Sequence, residues 1–187
     1  MAESYPTLLA GQRATAGLLR SMLPQWARKT ADTARAATTT TVADPHLTFE
    51  VEAGAVYGWD GWLKYDGATG GDLGVAFGVP SGSLGEWRGI GPGVLRVISF
   101  TDAASPVVTV DTAASTGYLM RVETNDVNAL RTFGALGVGT GLTVSMDGTL
   151  RVGPTAGTFS LNWAQRTSDA TATTVYTDSW IKLQRIA

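Results

Sequence analysis

His46 is the only histidine in this 187-residue sequence, and there is no cysteine. A Ser-His-Asp arrangement would therefore have to use His46. That residue sits between Pro45 and Leu47, where a strand is expected to begin, and no Gly-x-Ser-x-Gly elbow occurs in the chain. It reads as a partly exposed residue at a strand edge. Disulfides, thiolate metal sites and cysteine nucleophiles are excluded by composition, and zinc or iron would lack its usual ligands. Calcium could still be held by oxygen alone. Asp66 and Asp72 flank a Gly-rich turn, and Glu123, Asn125 and Asp126 cluster in a loop, but neither group has EF-hand spacing. Both read as turn chemistry.

Paired carboxylates hydrolyse glycosides only when about 5–9.5 Å apart. Asp60 and Asp66 share a strand parity, yet six residues of extended chain separate them by roughly 20 Å. Gly89-Ile-Gly-Pro-Gly93 and Gly137-Val-Gly-Thr-Gly141 resemble phosphate loops only in composition. Neither leads into a helix whose N-terminus could hold a phosphate. The expectation is no catalytic site, no cofactor and no metal.

The six tryptophans suggest another kind of chemistry. Exposed aromatic rings can serve as platforms for pyranose faces. Trp62 points opposite to Trp59 along its strand, and Trp87 is expected in a Gly-rich loop, so these two are the candidate glycan contacts. The competing reading buries them against the N-terminal arm or another subunit.

The elements that must position these residues are strands. Leu47, Phe49 and Val51 alternate with Thr48, Glu50 and Glu52, the pattern of a half-buried strand. Tyr57, Trp59, Leu63 and Tyr65 share a face with Gly61. After the turn Asp66-Gly-Ala-Thr-Gly-Gly71, residues Leu73, Val75, Phe77 and Val79 form the answering strand, and the stretch from Pro80 to Gly85 breaks the run. Further strands are expected at 94–100, 107–110, 117–122, 142–146 and 149–152. The last two flank Asp147-Gly148, a two-residue hairpin signal. Strands at 158–165, with Phe159, Leu161 and Trp163 on one face, and at 174–186 end the chain. Nine or ten short strands without interleaved helices specify an all-β antiparallel sandwich of jelly-roll type.

Ahead of the strands, Thr15 reads as the N-cap of a two-turn helix over 16–23, ended by Pro24. Its Leu18, Leu19, Met22 and Leu23 fall on one face, and so short a helix persists only when docked. Trp26, Arg28 and Lys29 follow, an aromatic for a pocket with cations at its rim. Two domains are expected, an anchoring arm over 1–37 and a β domain over 38–187.

Charge sorts the same way. Residues 1–40 hold five Lys/Arg and two Asp/Glu (5 − 2 = +3), and the other 147 hold nine and fourteen (9 − 14 = −5). Charged residues make up only 16% of the chain, against about a quarter in ordinary soluble domains, so much surface should be hidden in contacts. The net charge of −2 supplies no field for nucleic acid or an anionic membrane. No apolar run approaches the ~20 residues that span a bilayer. Met1-Ala-Glu-Ser-Tyr-Pro is not a basic region feeding an apolar segment, so synthesis in the cytoplasm is expected.

Three stretches of the chain carry a resemblance to known proteins. Ala10-Gly-Gln-Arg-Ala-Thr-Ala-Gly-Leu-Leu19 with Ala27-Arg-Lys-Thr-Ala-Asp32 looks like the short helix that begins many fibre and decoration chains. Asp44-Pro-His-Leu47 through Asp66-Gly67 is the second. Gly157-Thr-Phe-Ser-Leu-Asn-Trp-Ala-Gln165, with Thr167-Ser-Asp169 and Ser179-Trp-Ile-Lys-Leu183, is similar to the last strands of trimeric jelly rolls of the tumour-necrosis-factor and complement type. Together the three stretches resemble a group of phage virion proteins, especially those of phages infecting actinobacteria, and the resemblance does not extend to residues 85–145. It implies a homotrimer on the virion surface, attached through its N-terminal arm to the major capsid protein or another virion protein. Head decoration or head fibre is the leading expectation. A tail-associated fibre or minor tail protein is the alternative, and a carbohydrate-binding module is the reading from another class. Asn162 and Gln165 are the amides expected near the three-fold axis.

Overall fold

The computed structural model describes residues 6, 9–93, 118–119 and 127–187. The strands expected at 94–100 and 107–110, most of that expected at 117–122, and the Glu123, Asn125 and Asp126 loop lie outside them. A single turn-and-a-half helix, α1 (Ala16–Ser21), comes first. Thr15 caps it, its hydroxyl accepting from the Leu18 amide at 3.2 Å. The other regular elements among the described residues are strands: β1 (Gln25–Arg28), β2 (Thr33–Arg35), β3 (Val42–Val51), β4 (Val56–Gly67), β5 (Leu73–Gly78), β6 (Leu84–Ile90), β7 (Tyr118–Leu119), β8 (Arg131–Phe133), β9 (Gly137–Arg151), β10 (Gly157–Gln165), β11 (Thr173–Val175) and β12 (Trp180–Arg185).

They form two antiparallel sheets. The smaller runs β3-β10-β5-β8; the larger runs β1-β12-β4-β9-β6-β7, with β11 beside β4 and β2 on β11. From β3 onward the chain changes sheet at nearly every connection, so neighbours in a sheet are distant in sequence. That wrapping makes the sandwich jelly-roll-like. Between the sheets lies one core. Leu47 and Phe49 of β3, Trp59, Leu63 and Tyr65 of β4, Phe77 of β5, Phe159, Leu161 and Trp163 of β10, and Ile181 and Leu183 of β12 are all buried in it. The Phe77 ring stacks on Phe159 at 5.3 Å and meets Trp59 at 4.5 Å.

The arm expected over 1–37 does not stand apart from the domain. Residues 25–28 pair with β12, Gln25 opposite Leu183 and Arg28 opposite Trp180, and residues 33–35 pair with β11. Ala27 and Lys29 point inward while Trp26 and Arg28 point outward, a period of two that an inward lysine conceals. The β structure thus begins at Gln25, not at residue 38.

Two local expectations also change. Asp147-Gly148 is no hairpin: β9 runs straight through it, pairing with β4 on one side and β6 on the other. A Cβ at Gly148 would lie 2.4 Å from the Glu86 carbonyl oxygen and 2.8 Å from the Trp59 ring, so glycine is there for close packing of the indole. The stretch around Trp87 is a strand, not a loop. Gly85, Trp87 and Gly89 face the core, with Trp87 edge-on to Phe77 at 5.1 Å.

Candidate functional site

The larger sheet turns one face to the core and the other outward, and the outward residues of five strands fall into rows. One row reads Trp26, Lys182, Asp60, Asp147, Arg88 across β1, β12, β4, β9 and β6. The next reads Arg28, Trp180, Trp62, Ser145, Ile90. Three tryptophans therefore meet at one corner of a flat face. Trp26 is 61% exposed, and its ring lies 5.1 Å from that of Trp180.

Charges on this face are matched within the chain. Asp60 and Asp147 stand directly opposite each other, a placement that disfavours the sheet unless both are compensated. Lys182 Nζ lies 2.7 Å from Asp60 Oδ1, and Arg88 Nε donates to Asp147 Oδ1 at 2.8 Å. Arg28 pairs with Asp178. Each such exposed pair adds at most about 1 kcal/mol to stability, but together they leave the surroundings of the tryptophans with little uncompensated charge. The Lys182 and Lys64 ammoniums lie 5.7 Å and 5.8 Å from the Trp26 and Trp62 ring centres. Both of these indoles thus already hold cations near their faces.

Beside this corner lies α1. No residue of the helix is buried; Leu19, Met22 and Leu23 are exposed and Leu18 is half-buried. The Gln184 side-chain amide donates to the Met22 carbonyl at 3.1 Å, tying the end of the helix to β12. Of the expected docking set, Trp26 and Arg28 thus lie on β1, Met22 and Leu23 lead into it, and Leu18 and Leu19 belong to the helix just before.

Lys29 does not belong with them. It is fully buried, its ammonium 2.7 Å from Asp44 Oδ2 and 2.8 Å from the Thr33 hydroxyl. Asp44 also accepts from the Trp163 indole N–H at 3.0 Å and from the His46 amide at 2.9 Å. Lys29 therefore ties β1 to β3 across the sandwich and cannot be a rim cation. The Arg35 guanidinium completes this cluster, lying 4.0 Å over the Trp163 ring and donating to the carbonyls of Val42, Ala43 and Trp163. Burial lowers its pKa, an effect opposed by Asp44. His46 sits half-buried with Nδ1 3.8 Å from Asp44 Oδ1.

The two amides expected at a three-fold axis are not equivalent. Three residues apart on β10, Asn162 and Gln165 point to opposite faces of the smaller sheet. Gln165 is buried, donating to the Thr171 carbonyl at 2.7 Å and accepting from the Asp169 amide at 3.1 Å. It secures the turn after β10 and is removed from the interface set. Asn162 is half-buried and accepts from the Ser160 hydroxyl at 2.8 Å. Trp62 is half-exposed on the outward face of β4, whereas Trp87 is 3% exposed, so a sugar cannot reach it. Trp26 stood out in the sequence as a docking aromatic, but its place beside Trp180 did not, because residues 25–28 did not read as a strand.

The turn carboxylates hold backbone. Asp66 Oδ2 accepts from the Gly139 amide at 2.6 Å, and the Tyr176 hydroxyl bonds to Asp66, the main cause pushing that phenol up to about 12. Asp72 Oδ1 accepts from the Ala135 amide at 3.0 Å; burial raises its pKa against that bond. Tyr65, which donates to the Gly134 carbonyl at 2.5 Å, is held far above the ordinary phenol range by burial and by Asp72.

The chain matches no protein-family model and no curated protein. Among solved structures it is similar to that of the infectious bursal disease virus Gt strain, at 11% identity and a TM-score of 0.19, over 87% of this chain and 42% of that one. It is also similar to the Gx strain, at 12% identity and a TM-score of 0.18, over 87% and 41%. The VP2 subviral particle of the same virus gives 12% identity and a TM-score of 0.17, over 88% and 42%. This chain spans less than half the length of each. Likenesses this slight carry no argument, and the fold rests on the strand pairing itself.

Proposed function

We propose that this chain is a non-enzymatic structural virion protein, a trimeric jelly roll displayed on a phage capsid as a decoration or head-fibre protein, made in the host cytoplasm. The observation that carries the reading is the outward face of the larger sheet. Trp26, Trp62 and Trp180 stand there on paired strands among internally neutralised charges. An exposed apolar helix lies beside them. Tryptophan ringed by satisfied polar groups is the usual composition of an interface centre. The resemblance of both ends of the sequence to actinobacterial-phage virion proteins supplies the biological setting.

Attachment falls to the segment ahead of Gln25. Its Leu19, Met22 and Leu23 lie outside the core, so they can be buried on a capsid partner without unfolding the sandwich. The test is direct. Purified particles analysed by mass spectrometry and electron microscopy should contain the chain at stoichiometric copy number, with its density on the head exterior. Density on the tail would favour the tail-associated alternative. Absence from intact particles would overturn the virion reading. The outward Trp62 favours a carbohydrate-binding module as second reading, tested by binding of host-surface glycans to the purified protein and its loss in Trp62→Ala.

A further inference from the structure

Lysine is almost never fully buried unless it is paired, and Lys29 is fully buried against a carboxylate that is fully buried too. Its Nζ lies 2.7 Å from Asp44 Oδ2. The carboxyl carbon is one bond beyond, so the nitrogen stands near the separation of about 3–3.5 Å at which held groups react. Oδ2 also accepts the Trp163 indole N–H at 3.0 Å, and Oδ1 accepts the His46 amide at 2.9 Å. Donors on both oxygens draw electron density from the carbon between them. His46 Nδ1 lies 3.8 Å from Oδ1 and, although buried, has no hydrogen-bond partner among the described residues. A plain salt bridge has no use for that nitrogen.

From this geometry we propose that Lys29 and Asp44 condense to an amide, a covalent cross-link between the end of β1 and β3. The ion pair is the reactant state. One ammonium proton moves along the 2.7 Å hydrogen bond to the carboxylate, leaving a neutral amine beside a carboxylic acid. The amine lone pair forms the Nζ–Cγ bond while the C=O electron pair moves onto Oδ2, where the Trp163 N–H stabilises the developing charge. That pair then re-forms the carbonyl as the Cγ–Oδ1 bond breaks. Oδ1 leaves as water with the two protons that the ammonium has lost, and His46 Nδ1 is the group placed to carry them. Nothing is oxidised or reduced, and no co-reactant is needed. The product keeps most of the pair's partners. One N–H remains on Nζ for the Thr33 hydroxyl, 2.8 Å away, and Oδ2 still accepts from Trp163. The His46 amide loses its acceptor, at the half-buried end where the water departs. Two buried ions become one neutral amide, which removes the desolvation cost of holding them in the core. The link joins residues 15 apart and ties the outer strand of the larger sheet to the smaller sheet.

The condensation does not depend on where the chain is carried, so particle composition has no bearing on it. Its test is mass spectrometry of the full chain in denaturant, where a salt bridge does not survive. Wild type should be one water lighter than its sequence. Trypsin should release a branched species joining residues 29–35, uncut after Lys29, to residues 36–64. Lys29→Arg should keep its full sequence mass. His46→Ala, sampled at intervals after a pulse of synthesis, should cross-link at least about a hundredfold more slowly than wild type. The wild-type reading requires no variant to fold. A wild type at full sequence mass, even after prolonged incubation of the folded protein, would overturn the cross-link. So would a missing water found on a linear peptide, as dehydration at Asp66-Gly67 or Asp147-Gly148 gives, or one missing from Lys29→Arg as well. His46→Ala condensing at the wild-type rate would overturn the role of the imidazole as proton carrier.

Discussion

Lys29 and Asp44 show how much one buried pair can govern. Both are fully buried, and the carboxylate is further held by Trp163 and the His46 amide. Removing the cation alone leaves a charge in the core, and such a change typically costs about 3–5 kcal/mol. Lys29→Ala should therefore lower the urea midpoint sharply, whereas Arg88→Ala, which breaks an exposed pair, should shift it little. Gly148 is a steric counterpart. An added methyl meets the Glu86 carbonyl and the Trp59 indole, and overpacking of this kind costs about 1–3 kcal/mol. Gly148→Ala should lower the melting temperature although the residue lies far from any turn. Asp72 is a case of pH. Burial raises its folded-state pKa above the ordinary 3.8. Below that value both states are protonated. As pH rises through the window above it, the unfolded chain loses its proton first and stability falls until the native carboxyl also ionises. Asp72→Asn keeps an acceptor for the Ala135 amide and tolerates the φ of 47° found there. Its stability relative to wild type should grow across that window, as read from urea midpoints at a series of pH values.

At the scale of elements, the strands most legible in the sequence were those with large apolar residues at alternate positions. β3, β4, β5 and β10 all bury the residues that alternation picked out, and Ile181 and Leu183 of β12 likewise face the core. Elements were missed where the inward residues were small or charged rather than a run of large apolar side chains. In β1 the inward pair is Ala27 and Lys29, and in β6 glycines flank Trp87, so neither looked like a core strand. Gly148 misled for a related reason: glycine beside aspartate signals a turn by composition, while its role here is to accept an indole. The same misreading drew the arm boundary at residue 37, and correcting it changes an experiment. Deleting 1–37 would strip β1 and β2 from the sheet and leave Asp44 without Lys29. Deleting 1–23 removes only α1 and what precedes it. The shorter truncation should keep the wild-type circular dichroism spectrum while losing attachment to particles, and the longer one should be destabilised or insoluble. Leu19→Asp, at a position 55% exposed, should likewise reduce attachment while leaving the melting temperature unchanged, provided the helix is the anchor.

For the whole molecule, the proposed trimer implies stability shared between copies. The sandwich has one continuous core and should fold as a single protomer, but its exposed Trp26, Leu136 and Val138 keep apolar area in water. Whatever binds the folded state and not the unfolded one stabilises it by mass action, and in the proposed trimer that ligand is the protein itself. The melting temperature should therefore rise with protein concentration. Each tenfold dilution should lower it by a reproducible step until dissociation is complete, after which it should become constant. Trp26→Glu should sit on that constant floor at every concentration, because its protomers begin dissociated. Salt should matter little, since the charges near the contact are already paired within each protomer and screening acts mainly on uncompensated ones. Differential scanning calorimetry across a dilution series, at low and high ionic strength, measures all of these dependences together. A wild-type melting temperature independent of concentration would show that the exposed tryptophan edge is not used between copies. The anchoring helix and the capsid partner would then be the remaining claimants to that surface.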